Sequence, residues 1–429
     1  MLFAALDLHK TEIEAVLLDD SGRLTCRLRF SATREAITAF AQRYLSPQYS
    51  VAMEATFNTW AVVDLIQPFV GSVLVGNPLL IRAIAQAKIK TDKIDALVLA
   101  HLLRLGYLPE VWIPDVETRQ LRLQTTERSC LTASRTRLKN RIHAILNQRL
   151  LAAPAPLFTP AGLDWLRALP IDPVGRRALD RLLGQLELVE RDLAASTVAL
   201  APLAYQDPRV RLLMTLPGVG FVVAQVLVAA LGDLDRFASA DRAASYLGLV
   251  PSTYQSGNKT YHGRITKQGS AHARWMLVEA AQHIDDHPGP LGVFFRRIAR
   301  KKNRNVAVVA TARKLVTIAW HMLLHNEPYR YALPAPTQEK LRRLRVLATG
   351  QRRKTGPPKG QPPVAPLAPG ARSKTVKGLP AVYAGEDLPA LSAPNAGEVR
   401  MTEQAGVAEF AQSVLTSRRI AKPRAAKKL

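Results

Sequence analysis

Asp7, Glu54, Asp92 and Asp95 are the residues in this chain whose types and spacing most suggest chemistry. Asp7 lies inside the apolar run Ala5-Leu6-Asp7-Leu8, where a charge is unfavourable unless a cation or a partner compensates it. Glu54 closes a second apolar run, Val51-Ala52-Met53-Glu54. Asp92 and Asp95 occur in Lys90-Thr91-Asp92-Lys93-Ile94-Asp95-Ala96, and on a helix that three-residue step puts both carboxylates on one face. Four converging oxygen donors would suit two Mg²⁺ or Mn²⁺ ions about 3.5 to 4 Å apart, which activate an attacking oxygen and stabilise a leaving one at a phosphodiester. Each acid also has an ordinary reading: Asp7 as a turn cap, Glu54 paired with Lys10, Asp92 and Asp95 as solvated helix acids. Taken together, in this order and in a chain this basic, they read as a metal site.

The elements that must position them form an α/β domain over residues 1–115. Residues 2–18 begin as a continuous apolar run and then alternate, Ser21-Gly22 supplies a turn, and residues 24–30 form a second strand. A helix is expected over 34–44, strands over 49–53 and 72–75, and a helical pattern over 90–105; the alternation implies a sheet with crossover connections. Residues 116–205 read as a helical hairpin or coiled-coil linker, broken at 152–160 and 170–173. Leu131, Leu138, Ile142 and Ile145 form one stripe, and Leu182, Leu186, Val189 and Leu193 the other. Arg128, Arg135, Arg137, Lys139 and Arg141 make the first of these helices strongly basic, as a solvated face or one turned to nucleic acid. Residues 206–330 read as a mainly helical domain with a Gly-, Ser- and Lys-bearing loop at 256–269. Leu216-Pro217-Gly218-Val219-Gly220, before an apolar helix, looks either like a helix-hairpin-helix turn, with N–H groups near Gly218 and Gly220 facing a phosphate, or like a plain inter-helical turn. From 334 to 429 the composition shifts to Pro, Ala, Gly and Lys/Arg, and a disordered basic tail with weak phosphate contact is expected.

Composition narrows the partner. The chain has 429 residues, 59 Lys and Arg against 34 Asp and Glu, and a formal net charge of +25, which points to a polyanion. That length and a 48% hydrophobic content exclude a single small binding module. The most apolar stretch, 212–232, is broken by the Pro-Gly turn, so no membrane partner is expected, and the N-terminus lacks the regions of a secretory signal; the expected location is the bacterial cytoplasm. Cys26 and Cys130 alone cannot build a disulfide framework or a cysteine zinc site. His283 with His287, and His321 with His325, have helical metal-pair spacing but no clear third ligand, and read as helix faces.

The order of Asp7 in a first strand, Glu54 after a later one, and Lys-Thr-Asp-x-x-Asp-Ala at 90–96 resembles the DEDD transposases of insertion-sequence family 110, as does Asn77-Pro78. The likeness continues through Arg236-Phe237, Tyr246-Leu247-Gly248-Leu249-Val250-Pro251, Tyr254-Gln255-Ser256-Gly257-Asn258-Lys259 and Gly263-Arg264-Ile265-Thr266-Lys267-Gln268-Gly269, and covers roughly residues 2–326. It departs at Ala55-Thr56-Phe57, where the family often has Thr-Gly. The resemblance implies a RuvC-like, RNase-H-type N-terminal domain with Asp7, Glu54, Asp92 and Asp95 as metal ligands. It also implies that Ser256 attacks a DNA phosphate to form a phosphoserine; without it, Ser256 before a glycine would read as a turn residue. Lys259, Arg264, Lys267 and Arg274 would then bind phosphates. Further implications are double-stranded DNA at element ends and target, a structured guide RNA, and composite sites in a homodimer or homotetramer. Two rival readings are a metal-dependent nuclease or junction resolvase that uses only the carboxylates, and a noncatalytic nucleic-acid-binding derivative; retention of all four acids and the serine argues against the second.

Overall fold

The computed structural model describes residues 1–84, 92–154, 156–257, 259–351 and 372–422. They form two compact units, Met1–Asp115 and Val116–Leu429.

In the first unit β1 (Leu2–Leu8), β2 (Glu12–Leu18) and β3 (Leu24–Ser31) make an antiparallel meander, followed by α1 (Arg34–Tyr44), β4 (Tyr49–Glu54), α2 (Thr59–Ile66), β5 (Ser72–Gly76), α3 (Pro78–Ile84), α4 (Asp92–Arg104) and the short β6 (Glu110–Val111). The sheet order is β3-β2-β1-β4-β5-β6, with β4 parallel to β1 and β5 parallel to β4. β1 and β2 are apolar on both faces because helices cover both. Ala4, Leu6, Ile13, Ala15, Val51 and Met53 pack with Ile37 and Phe40 of α1 and Val62 and Ile66 of α2. Ala5, Val16, Leu18 and Ala52 pack on the other side against Ala96, Leu99, Ala100 and Leu103 of α4. The side chain of Thr33 caps α1 by accepting the Ala36 N–H, which fixes where that helix starts.

The second unit contains α5 (Val116–Asn147), α6 (Pro160–Ala168), α7 (Pro173–Gln206), α8 (Pro208–Leu213), α9 (Phe221–Leu231), α10 (Ala240–Tyr246), β7 (Pro251–Ser256), β8 (Lys259–Ile265), α11 (Ala271–Ala281), α12 (Pro290–Lys301), α13 (Arg304–His325), α14 (Pro334–Thr349), β9 (Arg372–Val376), α15 (Leu379–Ala384), α16 (Ala396–Gln404), α17 (Ala408–Ser413) and β10 (Arg418–Lys422). Leu138, Ile142 and Leu146 of α5 meet Leu179, Leu182 and Leu186 of α7, so the apolar stripes close on each other within the chain. Part of the basic stripe of α5 turns to α7 as well: Lys139 and Arg135 lie 2.9 and 3.7 Å from Glu190, and Arg128 Nε donates to Thr197 Oγ1. Arg137 and Arg141 remain exposed. Leu193, at the middle of α7, and Leu200 are buried, and Ala201 and Ala204 near its end enter the core shared by α9, α11 and α13; this contact joins the hairpin and the helical region into one unit. α13 is long and apolar enough to cross a bilayer, and half of its most apolar stretch is buried inside this unit.

Two expectations are corrected. The loop at 256–269 is largely an antiparallel hairpin, β7–β8, whose strands alternate without an apolar face. The tail from 334 is not uniformly disordered: Leu341 and Leu344 of α14, and Leu379, Val382, Tyr383, Leu388 and Val414 further on, are buried in the main core. Tyr383 OH donates to Tyr329 O at 2.6 Å, and Arg345 forms a buried ion pair with Glu386. Residues 352–371 and 423–429 of that tail lie outside the described residues.

Candidate active sites in the two units

The first site is built on strand ends. β1 and β4 pair in parallel as far as Leu6 and Met53, so Asp7 and Glu54 come next at the same end of adjacent strands. Alternation puts Asp7 on the side of Ala5, and Glu54 on the side of Ala52, which is the side covered by α4. Asp95 lies one turn before Leu99 on that helix, and Asp92 opens the helix with a side chain outside the described residues. Among the described residues no three His, Cys, Asp or Glu side chains stand close enough together to hold a metal ion. The donor set of Asp7, Glu54 and Asp95 consists of carboxylate oxygens alone, which suits a hard divalent cation.

The surroundings of this set are held by hydrogen bonds. Asp7 Oδ2 lies 3.1 Å from His9 Nε2. Asn58 Nδ2 donates to His9 O at 3.2 Å, and Thr59 Oγ1 donates to Glu54 O at 2.8 Å, so the departure at Ala55-Thr56-Phe57 forms a loop that ties the ends of β1 and β4. Phe57 itself is exposed. Asn77 caps α3 by accepting the Leu79 N–H. Sequence reasoning missed Glu14, which lies directly across from Asp7 on β2. It is buried and neutralised by β3, with Arg29 Nε at 3.2 Å and Arg27 Nε at 3.9 Å. The signal was present in Glu12-Ile13-Glu14, an acid repeated at strand period inside an apolar run.

The second site is the β7–β8 hairpin. Ser256 ends β7 and is exposed, directly across the ladder from Lys259, with a two-residue turn between them. Gly257 opens that turn at φ +55°, a left-handed conformation that matches the twist of the flanking strands and that a residue with a Cβ adopts at a cost. Asn258 lies outside the described residues. Arg264 and Lys267 are exposed beyond the turn, so three cations, Lys259 included, are available to an anion. Arg274 is used differently: its Nη1 donates to Leu247 O at 3.1 Å and Gln268 O at 3.3 Å, bracing the turn that carries Lys267.

The turn before α9 adds a third feature. Gly218 has φ +73°, and a Cβ there would meet Ala280 O at 2.2 Å, so only glycine fits; Gly220 is the N-cap of α9. The Lys340 ammonium, contributed by α14, donates to Leu216 O at 2.8 Å and Val219 O at 3.0 Å, and burial lowers its pKa to about 8. Pro-rich context hid this lysine from sequence reading. At the far end of α9, Arg122 and Arg236 donate to the terminal carbonyls of Ala229, Ala230 and Leu231, and Arg236 also lies over the rings of Phe237 and Tyr246 at 4.0 and 4.1 Å. His287 Nδ1 accepts the Gly289 N–H, and burial lowers its pKa to about 4. The rings of His321 and His325 stack 6.0 Å apart beside a groove of about 820 Å³ that Arg297 and Lys314 also line.

The first unit thus carries carboxylates on an α/β sheet, and the second a serine on an exposed hairpin. A DEDD transposase model of the IS110 type matches residues 4–150, and the model described as Transposase IS116/IS110/IS902 family matches residues 210–290. The chain belongs to this family of transposases, enzymes that cut and rejoin DNA. It is 28% identical over 252 residues to the transposase for insertion sequence element IS1111A of Coxiella burnetii, covering 56% of this chain and 68% of that one. Over 330 residues it is 26% identical to the transposase for insertion sequence element IS1328 of Yersinia enterocolitica, covering 73% and 94%. It is also 27% identical over 298 residues to the insertion element IS110 uncharacterized 43.6 kDa protein of Streptomyces coelicolor, covering 57% and 73%.

Proposed function

We propose that this transposase exchanges DNA strands through a covalent bond to Ser256, assisted by divalent metal at the N-terminal carboxylates. The observation that carries the reading is the position of Ser256: exposed at the tip of a hairpin, opposite Lys259 and followed by Arg264 and Lys267. The serine hydroxyl gives up its proton as its oxygen attacks the phosphorus of a DNA phosphodiester, a phosphorus–oxygen bond to one deoxyribose breaks, and the departing oxygen takes a proton. The phosphoserine intermediate is itself a phosphodiester, one ester bond having replaced another, so a hydroxyl of another strand reverses the step, expels the serine and rejoins DNA without ATP. Lys259 neutralises the phosphate during the exchange, Arg264 and Lys267 toward the other end of the hairpin bind phosphates further along the DNA, and N–H groups at Gly218 and Gly220 hold another phosphate at the start of α9.

The β3-β2-β1-β4-β5 order, with β1, β4 and β5 parallel, supports an RNase-H-like, RuvC-like reading of the first unit. Asp7, Glu54, Asp92 and Asp95 would hold Mg²⁺ or Mn²⁺, which would activate an oxygen nucleophile or stabilise a leaving one. Composite sites across a homodimer or homotetramer, guidance by a structured RNA of the element, and action at the bacterial nucleoid complete the proposal.

The test is strand transfer between labelled donor and target DNA with Mg²⁺ and the element's flanking transcript. Wild type is expected to form a covalent protein–DNA adduct, and Ser256→Ala none. Cleavage that persists in Ser256→Ala but disappears in Asp7→Ala would instead identify a metal-dependent nuclease.

A further inference from the structure

Ser256 shares its face of the hairpin with other groups. Directly opposed residues of an antiparallel ladder project to the same side, and successive residues alternate. The pairs Tyr254 with Tyr261 and Ser256 with Lys259 therefore put two tyrosines, the serine and the lysine on one face. Thr253, Gln255, Thr260 and His262 take the other, where Thr253 Oγ1 and His262 Nδ1 lie 3.1 Å apart. This parity separates the His262 imidazole from the serine. Tyr254 and Tyr261 are 68% and 64% exposed. They are large rings, directly opposed, and neither is buried in the core of the unit.

The geometry points to Tyr254 and Tyr261 as a stacking platform for an unpaired base of the DNA strand whose phosphate Ser256 attacks; the inference rests on the serine reading above. In an intact duplex both faces of each base are covered by neighbours, so a tyrosine ring engages a base face only where the strand has been unstacked. A ring pair two residues along the strand from the serine lies about 7 Å from it, which places a base beside the reacting phosphate. Lys259, directly across from Ser256 on the same face, supplies charge for the connecting backbone. Stacking is tolerant of base identity, so the platform selects an opened strand rather than a sequence.

The test uses the full-length protein and DNA carrying 2-aminopurine at an unpaired position next to the cleavage site, compared with the same DNA fully paired. Tyr254→Ala and Tyr261→Ala are expected to bind the unpaired DNA about tenfold or more weakly and to lose quenching of the fluorophore. Tyr254→Phe and Tyr261→Phe keep both, and affinity for paired DNA changes little. Equal losses on paired and unpaired DNA, failure of the Phe variants, or an equivalent preference for unpaired RNA without one for unpaired DNA would overturn the platform. Thermal melts of the Ala variants match wild type, since the rings lie outside the core. Ser256→Ala separates the two ideas. If it abolishes the adduct while the tyrosine variants bind as wild type, the platform alone fails; if it leaves the adduct in place, the serine reading fails.

Discussion

The buried pair of Arg345 and Glu386 offers a quantitative test of how the C-terminal segment is held. Arg345 on α14 is 7% exposed, and Glu386, just beyond α15, is 8% exposed. Both carboxylate oxygens accept from Arg345 Nη1, and the Glu386 backbone carbonyl accepts from Arg211 Nη1 at 3.1 Å. Glu386→Ala leaves a guanidinium buried without its counter-charge, and loss of one member of such a pair costs about 3–5 kcal/mol. Replacing both, as Arg345→Met with Glu386→Leu, removes the charge and the desolvation together and is expected to fall within about 1 kcal/mol of wild type. Urea unfolding of the two single variants and the double variant measures the coupling. Limited trypsin digestion followed by mass spectrometry provides a local readout, because Lys377 and Arg400 are exposed on either side of the docked region. Faster cleavage there in Glu386→Ala, restored in the double variant, is the expected result. A Glu386→Ala protein within about 1 kcal/mol of wild type, with unchanged cleavage, would refute the reasoning from burial.

Two further outcomes follow from single groups. Gly218→Ala combines a left-handed backbone with a clash against Ala280 O, and is expected to lower stability by about 2 kcal/mol or more, seen by thermal denaturation, with weaker DNA binding. His287 is depressed to about 4 by burial, so the unfolded chain binds its proton first. The stabilisation is complete above pH 6.5 and is lost as pH falls from 6.5 through 4, by about 3 kcal/mol. His287→Asn, whose side-chain oxygen can accept the Gly289 N–H, is expected to flatten that part of the stability–pH curve.

The α/β unit was the most legible part of the fold. Apolar runs at β1, β4 and β5 and polar turns between them mark buried strands, and the helix carrying Asp95 shows its Ala96–Leu99–Leu103 stripe directly. The β7–β8 hairpin was missed because Tyr254, Gln255 and Ser256 against Lys259, Thr260 and Tyr261 present no apolar–polar alternation; both faces meet solvent. α14 was masked by its opening Pro334-Ala335-Pro336, which resembles a linker although Pro suits the first turn of a helix. Among the candidate residues, the position of Glu54 at the end of a strand could be anticipated, whereas that of Ser256 on a hairpin strand could not. The bracing role of Arg274 could not, since its partners are backbone carbonyls that local sequence does not specify. Nor could the neutralisation of Glu14 by Arg29, which needs the register of two strands.

The exposed strands of the serine hairpin have an energetic consequence. Residues 253–256 and 259–264 bury almost nothing, so little besides their own ladder resists separation of the two strands. Such an element opens locally at a small fraction of the free energy needed to unfold the protein, and its amides exchange with solvent early. On the proposed serine mechanism, DNA seated on the hairpin would supply the missing half of its packing, and part of the association free energy would go into ordering the arm. On that mechanism, DNA that contacts only the rest of the protein would leave Ser256 fluctuating among misaligned positions, so commitment to strand breakage would depend on completing the encounter.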